Sequence, residues 1–297
     1  MSHCPWCNTE TENKVLELKD YFLSKETFNI LECPKCHLRF TDPRPAPDKL
    51  GEYYRSDKYY SHQEGGKGLV ARLYSMVKTV NLKAKFRVAT KGLARGKVLD
   101  IGCGIGDFLL KSKQNGWEVR GIEPDPHARQ LASAKLHAPI LHPDAINELP
   151  DASFDLITMW HVLEHVDDLE AQIKQLHRLL KPNGRLVIAV PNFESDDAKH
   201  YGAKWAAWDV PRHLNHFCIN SMRTIFSNSS FVLDAVSGQK WDAYYIAFMS
   251  EQYGNKSIHC AQPYDHRPAH GRSRAGGGAS HAGKDRGWRD GERRACK

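Results

Sequence analysis

No apolar run in this 297-residue chain approaches the ~18 residues that a membrane span requires, and its longest apolar stretches, such as Arg185–Val190, are strand-sized. The opening MSHCPWCNTE lacks an apolar h-region, so we expect no secretory signal and a cytoplasmic location. Charge of one sign is in small excess, with 42 Lys and Arg against 35 Asp and Glu giving +7. Most of that excess lies in one segment. Ser257 to Lys297 holds seven Arg and two Lys against three Asp and one Glu, and after Ile258 it contains no Leu, Ile, Val, Met or Phe. Without apolar side chains it cannot bury enough surface to offset the entropy of ordering. We therefore expect 257–297 to be a disordered or aberrant basic tail, a flexible or frame-shifted end in preference to an arm for nucleic acid. The remaining 256 residues carry only +2, scattered, and so lack the basic stripe that a polyanionic partner needs.

What the chain does contain is typical of a folded protein: 41% hydrophobic and 26% charged residues, over a length that suggests about two domains of ~150 residues. Its eight cysteines divide into two groups. Cys103, Cys218, Cys260 and Cys296 are isolated, whereas Cys4, Cys7, Cys33 and Cys36 form two C-x-x-C pairs with 25 residues between them. With no signal expected, a disulfide framework is disfavoured and paired knuckles point to Zn²⁺. Two residues between thiolates let both sulfurs reach one tetrahedral ion, and four cysteines close the site, which makes the metal structural. Val15–Leu18 and Thr27–Leu31 read as short strands between the knuckles, and His37 reads as a bystander. We expect a zinc ribbon over 1–47, a stiff connector at Thr41–Pro47, and a helical linker or cap over 48–95 that includes helical spacing from Leu69 to Thr90.

From residue 96 to 256 the pattern alternates strand and helix. Val98–Ile101 is an apolar strand, Gly102–Gly106 a glycine loop and Asp107–Asn115 a helix. The chain continues with a strand ending at Glu123, a helix His127–Leu136, a short strand near Pro139–His142 and a strand Phe154–Met159. A helix Leu169–Leu180 closed by K-P-N-G and a strand Arg185–Val190 follow. This order predicts an α/β fold, a Rossmann-like doubly wound and mostly parallel sheet. Gly102, Gly104 and Gly106 permit close approach of a ligand at the strand's carboxyl end. Glu123, 21 residues after Gly102, stands where a carboxylate can accept both ribose hydroxyls. Asp100, immediately before the loop, would repel a phosphate but suits a ligand carrying an ammonium and a sulfonium, so the loop favours S-adenosylmethionine over a dinucleotide.

V-L-D-I-G-C-G-I-G-D-F resembles motif I of the class I methyltransferases, and G-I-E-P-D the acidic motif that follows it. D-A-I-N-E-L-P-D-A-S-F-D-L-I resembles their adenine loop and fourth strand, and L-K-P-N-G-R-L-V-I-A-V-P-N the fifth. Joined to the cysteine module, D-P-R-P and Y-Y-R-S-D-K-Y-Y-S-H, the whole is similar to a bacterial subgroup often associated with sugar or polysaccharide biosynthesis. The resemblance implies that Asp100, Gly102 and Gly104, in the loop that also holds Cys103 and Gly106, line the methionine moiety. It implies further that Glu123 holds the ribose, that Asp144 and Ala145 flank the adenine, and that Trp160 and His161 sit beside the cofactor. In this subgroup the chain continues past D-A-Y-Y-I-A-F-M-S-E-Q-Y into a helix and final strand, so we expect an unpaired sheet edge here.

Two histidine clusters are candidates for a base. In W-H-V-L-E-H, His161 and His165 lie four apart, on one face if the segment is helical; the string also fits the H-x-x-E-H pattern of zinc proteases, which its place after an apolar strand argues against. The run W-A-A-W-D-V-P-R-H-L-N-H-F, Trp205 to Phe217, follows the fifth strand, where tryptophans beside histidines suit the apolar face of a sugar. The resemblance favours His213 as base and His216 second; the competing reading of this run is a lid packed on the core. The expected function is methyl transfer to a small-molecule or sugar/glycan-type acceptor. A zinc-ribbon rRNA methyltransferase and a non-catalytic zinc-ribbon scaffold are the alternatives; the scattered charge counts against the first, and the intact Asp100 and glycines against the second.

Overall fold

A computed structural model describes residues 1–54 and 69–254 of the chain. The tail 257–297, with Cys260 and Cys296, and the tyrosine-rich residues 55–62 lie outside the described residues.

The N-terminal module begins with a two-residue pair, β1 (Ser2–His3) and β2 (Glu10–Thr11), followed by the hairpin β3 (Lys14–Lys19) and β4 (Thr27–Glu32) and by β5 (Arg39–Asp42). The hairpin turn is held by Asp20, whose carboxylate accepts from the backbone N–H groups of Phe22 (2.9 Å), Leu23 (3.1 Å) and Ser24 (2.7 Å). The two knuckles are built alike. Asn8 N–H donates to the Cys4 carbonyl and His37 N–H to the Cys33 carbonyl, each at 3.0 Å, with Asn8 and His37 both at positive φ. His37 thus serves the turn, which explains a histidine beside the cysteines. The connector expected at Thr41–Pro47 starts inside β5.

A single helix, α1 (Leu69–Thr90), leads into the alternating unit: β6 (Lys97–Ile101), α2 (Asp107–Gln114), β7 (Glu118–Ile122), α3 (Pro126–Leu136), β8 (Phe154–Trp160), α4 (Leu169–Leu179) and β9 (Leu180–Ala189). The helices start where the sequence supplies caps, Asp125 accepting from Ala128 N–H (2.7 Å) and Asp168 from Ala171 N–H (2.9 Å). Helix α4 buries Leu169, Ile173, Leu176 and Leu179, one stripe at helical spacing. The four strands pair in parallel in the order β7-β6-β8-β9. Consecutive connections therefore leave β6 in opposite directions, and the crevice between the carboxyl ends of β6 and β8 is the topological switch point.

Three details differ from the sequence reading. The strand expected near Pro139–His142 is a single bridge, Leu141 to Ile122. K-P-N-G does not precede β9 but bulges out of it: Phe154 pairs with Leu180 and Leu156 with Arg185, the four residues between making an excursion with Asn183 at φ 67°. Among the described residues, no strand joins the outer edge of β9.

After β9 come α5 (Asp196–Tyr201), the two-residue strand β10 (Asn215–His216), α6 (Ile219–Ser227) and α7 (Lys240–Tyr253). Strand β10 does not join the parallel sheet. It pairs antiparallel with β5, so the sheet of the cysteine module, β10-β5-β4-β3, takes its edge strand from a segment some 170 residues later. The cores merge as well: Cys4, Cys33, Cys36, Leu38 and Phe40 pack in one buried cluster with Leu99, Ile101, Ile122 and Ile157. The joint is locked by Arg212, 2% exposed, whose guanidinium reaches the fully buried Asp20 side chain at 3.1 Å and Asp209 at 2.5 Å. It also donates to the Tyr53 carbonyl at 3.2 Å. Burial opposes ionisation of Asp20, yet Arg212 and the turn N–H groups hold its carboxyl below the ordinary value.

Removing one partner of a buried pair leaves the other charge uncompensated. Arg212→Met is expected to lower unfolding stability by about 3–5 kcal/mol in urea titrations; a loss below about 1 kcal/mol would show that the joint does not depend on this pair.

Candidate functional site

The glycine loop lies at the carboxyl end of β6. Gly102 and Cys103 N–H both donate to the Ile122 carbonyl, at 2.8 and 3.0 Å, which ties the loop to β7. Gly102 (φ 70°) has no room for a side chain, because an added Cβ would stand 2.4 Å from Val162 Cγ2. Gly104 (φ 53°) is the opposite case: its missing Cβ faces open space, a cradle for a ligand approaching the backbone. Gly106 (φ 78°) is the N-cap of α2, where an added Cβ would stand 3.1 Å from Ala132 Cβ and 3.2 Å from Leu136 Cδ1. The Cys103 thiol turns away from the cradle, into the cluster around Val98, Phe108 and Leu109, and burial raises its pKa. Cys103 thus serves the loop as a small residue packed on the core.

Two buried carboxylates serve the loop. Glu123 accepts from Gly104 N–H at 2.8 Å through Oε2 and from Asp125 N–H at 3.0 Å through Oε1, so it shapes the loop besides being available to a ribose. A carboxylate has about four acceptor positions, and two remain. Asp100 is 2% exposed; it accepts from Thr158 Oγ1 at 2.7 Å, and burial outweighs this bond and the nearby Lys85 charge to push its pKa up to about 7. A buried acid poised at neutrality next to an open cradle is half prepared for a cationic ligand. Asp144 is exposed and lies 3.1 Å from His142 Nδ1; Ala145 N–H is bonded to the His142 carbonyl, in the turn that follows the Leu141 bridge. Trp160, at the end of β8, stacks obliquely on Phe108 with ring centres 5.3 Å apart, and its buried Nε1 has no acceptor within the protein.

His161 is not helical. It stands at φ 59° immediately after β8, and the next turn, Leu163–His165, is a short 3-10 segment. His161 and His165 are consequently not neighbours on one helix face, and their side chains have different partners. His161 Nε2 lies 2.9 Å from Asp242 of α7, which also pairs with Lys85 at 2.9 Å. Burial works against its protonation, but Asp242 and the Glu164 carboxylate outweigh it and raise the pKa to about 9. At neutral pH His161 is an imidazolium, not a base.

The second histidine run is buried. Trp205 and Trp208 pack edge to face with centres 5.4 Å apart and belong to a core cluster with Leu18, Phe28 and Phe193. The run is the core-packed lid and not a platform for a sugar. His216 lies 3.0 Å from Thr41 Oγ1, whose single hydrogen is donated to the His213 carbonyl at 2.7 Å. His216 Nε2 must therefore be the donor, which leaves that nitrogen no lone pair for a substrate proton. His213 Nδ1 lies 2.9 Å from the Ala207 carbonyl; burial and the neighbouring His165 lower its pKa to about 4. Both residues join the cysteine module to the parallel domain, which corrects the assignment of His213 and His216 as base.

Sequence reasoning missed Asp242, Lys85 and Glu164. The first two lie on α7 and α1 and carry no motif. Glu164 was visible in H-V-L-E-H, but its burial at 1% exposure was not. Burial opposes its ionisation, yet the His161 imidazolium 3.5 Å away keeps its pKa below the ordinary value.

The four N-terminal cysteines are brought together. Cys4 and Cys36 sulfurs are 3.5 Å apart, Cys7 and Cys33 3.4 Å, and Cys7 and Cys36 3.7 Å, all far beyond a disulfide bond. A tetrahedral ion with metal–sulfur bonds of about 2.3 Å requires sulfurs about 3.8 Å apart, so the donor set fits Zn²⁺.

A family model described as "Methyltransferase domain" matches residues 77–236, more than half of the chain. The chain belongs to this family. Its parallel sheet and glycine loop are those of a class I S-adenosylmethionine-dependent methyltransferase domain. The domain is similar to the ubiquinone biosynthesis O-methyltransferases of Pseudomonas aeruginosa (38% identity over 141 residues, 42% of this chain and 58% of the relative) and Bradyrhizobium diazoefficiens (34% over 147 residues, 46% and 56%). The chain thus spans little more than half the length of these curated relatives. Among solved structures it is similar to magnesium protoporphyrin IX methyltransferase from Synechocystis with bound SAH, at 17% identity and a TM-score of 0.48, covering 65% of this chain and 94% of that one.

S-Adenosylmethionine carries an ammonium, which an ionised Asp100 beside the loop would attract. Affinity for S-adenosylmethionine in the methyltransferase domain is expected to rise about tenfold from pH 6 to pH 8, since binding a cation favours the deprotonated acid whose pKa is about 7. Calorimetry across that range checks this; Asp100→Asn should flatten the dependence, and an unchanged slope in the variant would contradict it.

Proposed function

We propose that the chain is an S-adenosylmethionine-dependent methyltransferase acting on a small-molecule acceptor, with a zinc ribbon at its N-terminus. The observation that carries this reading is the acid-flanked glycine loop at the β6/β8 switch point, where the buried Asp100 is next to last in the strand that leads into the loop and Gly104 opens to free space. When bound, the cofactor supplies a methyl group on a sulfonium, open to in-line attack. Asp100 provides negative charge for its cationic end, and Gly102 and Gly104 let the backbone approach. Glu123, through its remaining acceptor positions, receives the ribose hydroxyls; Asp144 and Ala145 border the adenine, and Trp160 closes the side next to β8. The His161 imidazolium is held by Asp242 and orients that rim without taking a proton. The chain's contribution to rate is then mainly placement of acceptor and methyl group, a contribution that reaches ~7–11 kcal/mol in well-aligned systems.

The small-molecule reading is supported by relatives named as O-methyltransferases and by the absence of a basic stripe. Within it, a sugar or glycan acceptor is the class implied by resemblance to the ribbon-bearing subgroup. Cys4, Cys7, Cys33 and Cys36 would hold one structural Zn²⁺, leaving it no open position. The chain is then organised as ribbon 1–47, linker or cap 48–95, methyltransferase domain 96–256 and tail 257–297, in a cytoplasmic protein.

Calorimetric titration with S-adenosylhomocysteine is expected to show one site per chain, weakened at least tenfold in Asp100→Ala. Absence of binding, or a variant indistinguishable from the parent chain, would sink the reading.

A further inference from the structure

Glu164, His165 and His213 each bring one ligand-capable atom to within 4.8 Å of the others. Glu164 and His165 come from the turn after β8, and His213 from the segment leading into β10, so the cluster forms only when the two parts of the chain are joined. His165 Nδ1 lies 2.9 Å from the Arg212 carbonyl and 2.9 Å from the Tyr54 hydroxyl, which itself donates to that carbonyl at 3.4 Å, and His213 Nδ1 lies 2.9 Å from the Ala207 carbonyl. A carbonyl oxygen only accepts, so both Nδ1 atoms carry the proton and both Nε2 atoms are bare lone pairs. Glu164 is 1% exposed, and neither carboxylate oxygen has a hydrogen-bond donor; the nearest, His161 Nδ1, stands at 3.5 Å. Asp209 adds a further acceptor, its Oδ2 4.0 Å from His213 Nε2. The His161 imidazolium offsets the Glu164 charge from one side only, at 3.5 Å, and the two imidazole lone pairs face the carboxylate with no donor of their own, an arrangement that a bound cation would complete.

We propose that Glu164, His165 and His213 form a second metal site, distinct from the four cysteines, that holds a divalent ion of the zinc, cobalt or manganese class. The donor set is two neutral imidazoles and one carboxylate, with each ring fixed through its other nitrogen by a backbone carbonyl, as metal-ligating histidines commonly are. Three protein donors leave at least one coordination position for water or an acceptor oxygen, unlike the closed cysteine set. The site differs from the protease use of H-x-x-E-H, in which both motif histidines ligate: here His161 is engaged by Asp242, and the second imidazole comes from His213.

The test is a Co²⁺ titration of the full chain carrying its cysteine-bound zinc, followed by visible absorption and elemental analysis. One Co²⁺ per chain is expected, with ligand-field bands and no thiolate charge-transfer band. Glu164→Gln and His213→Gln should each weaken it tenfold or more while zinc stays at one per chain, which reports an intact fold. Co²⁺ entering only by displacing zinc from thiolates, or binding unchanged in both variants, would overturn the proposal. S-Adenosylhomocysteine titration of the same samples keeps the methyltransferase reading separate: its loss with Co²⁺ binding intact would count against that reading and not against the metal site.

Discussion

The buried Arg212 guanidinium, clasped between Asp20 and Asp209, is the interaction on which the remaining architecture depends. A lone buried guanidinium would be prohibitively expensive; two carboxylates and the Tyr53 carbonyl compensate its desolvation. Because Asp20 belongs to the hairpin of the cysteine module and Asp209 to the segment after β9, the charge fixes one against the other. The consequences pass along the backbone. The Arg212 carbonyl accepts from His165, the His213 carbonyl accepts from Thr41, and Leu214 N–H bonds the Glu164 carbonyl at 2.8 Å. The clamp therefore sets the position of every histidine that the two motifs supply except His161.

Two acids that share Lys85 as a neighbouring charge are treated in opposite ways. Asp100 is left under-compensated, so its proton is loosely held near neutrality. Asp242 is over-compensated by His161 and Lys85, and its carboxyl stays well below the usual carboxylate range. The first is suited to receiving a charge from outside, the second to holding a rim closed with charges already present. A sulfonium and ammonium ligand needs the first kind of acid, and a rim that keeps its shape across physiological pH needs the second.

The parts of this arrangement that are local in sequence were legible there. The apolar run before three glycines forms the expected strand and loop, Glu123 follows the end of the next strand, and two C-x-x-C knuckles bring four thiols together across a hairpin. The parts that depend on distant partners were not. H-V-L-E-H has helical spacing, yet His161 adopts a left-handed backbone because β8 ends there and Asp242, 81 residues later, takes its ring. The Trp205–Phe217 run has a composition suited to a ligand platform, yet it is buried because a strand of the cysteine module pairs with it across some 170 residues. Nothing in a local window distinguishes aromatic residues that await a ligand from those that meet another part of the chain.

If the cysteine module completes the methyltransferase domain and is not appended to it, a chain starting at residue 48 lacks the partner of β10, the Asp20 counter-charge and part of the shared core. Side-by-side thermal unfolding and S-adenosylhomocysteine titration of that truncated chain and the full chain is the most direct measurement. The expected result is loss of the cooperative transition and of binding in the truncated chain. A truncated chain that unfolds cooperatively and binds with the affinity of the full chain would contradict the account.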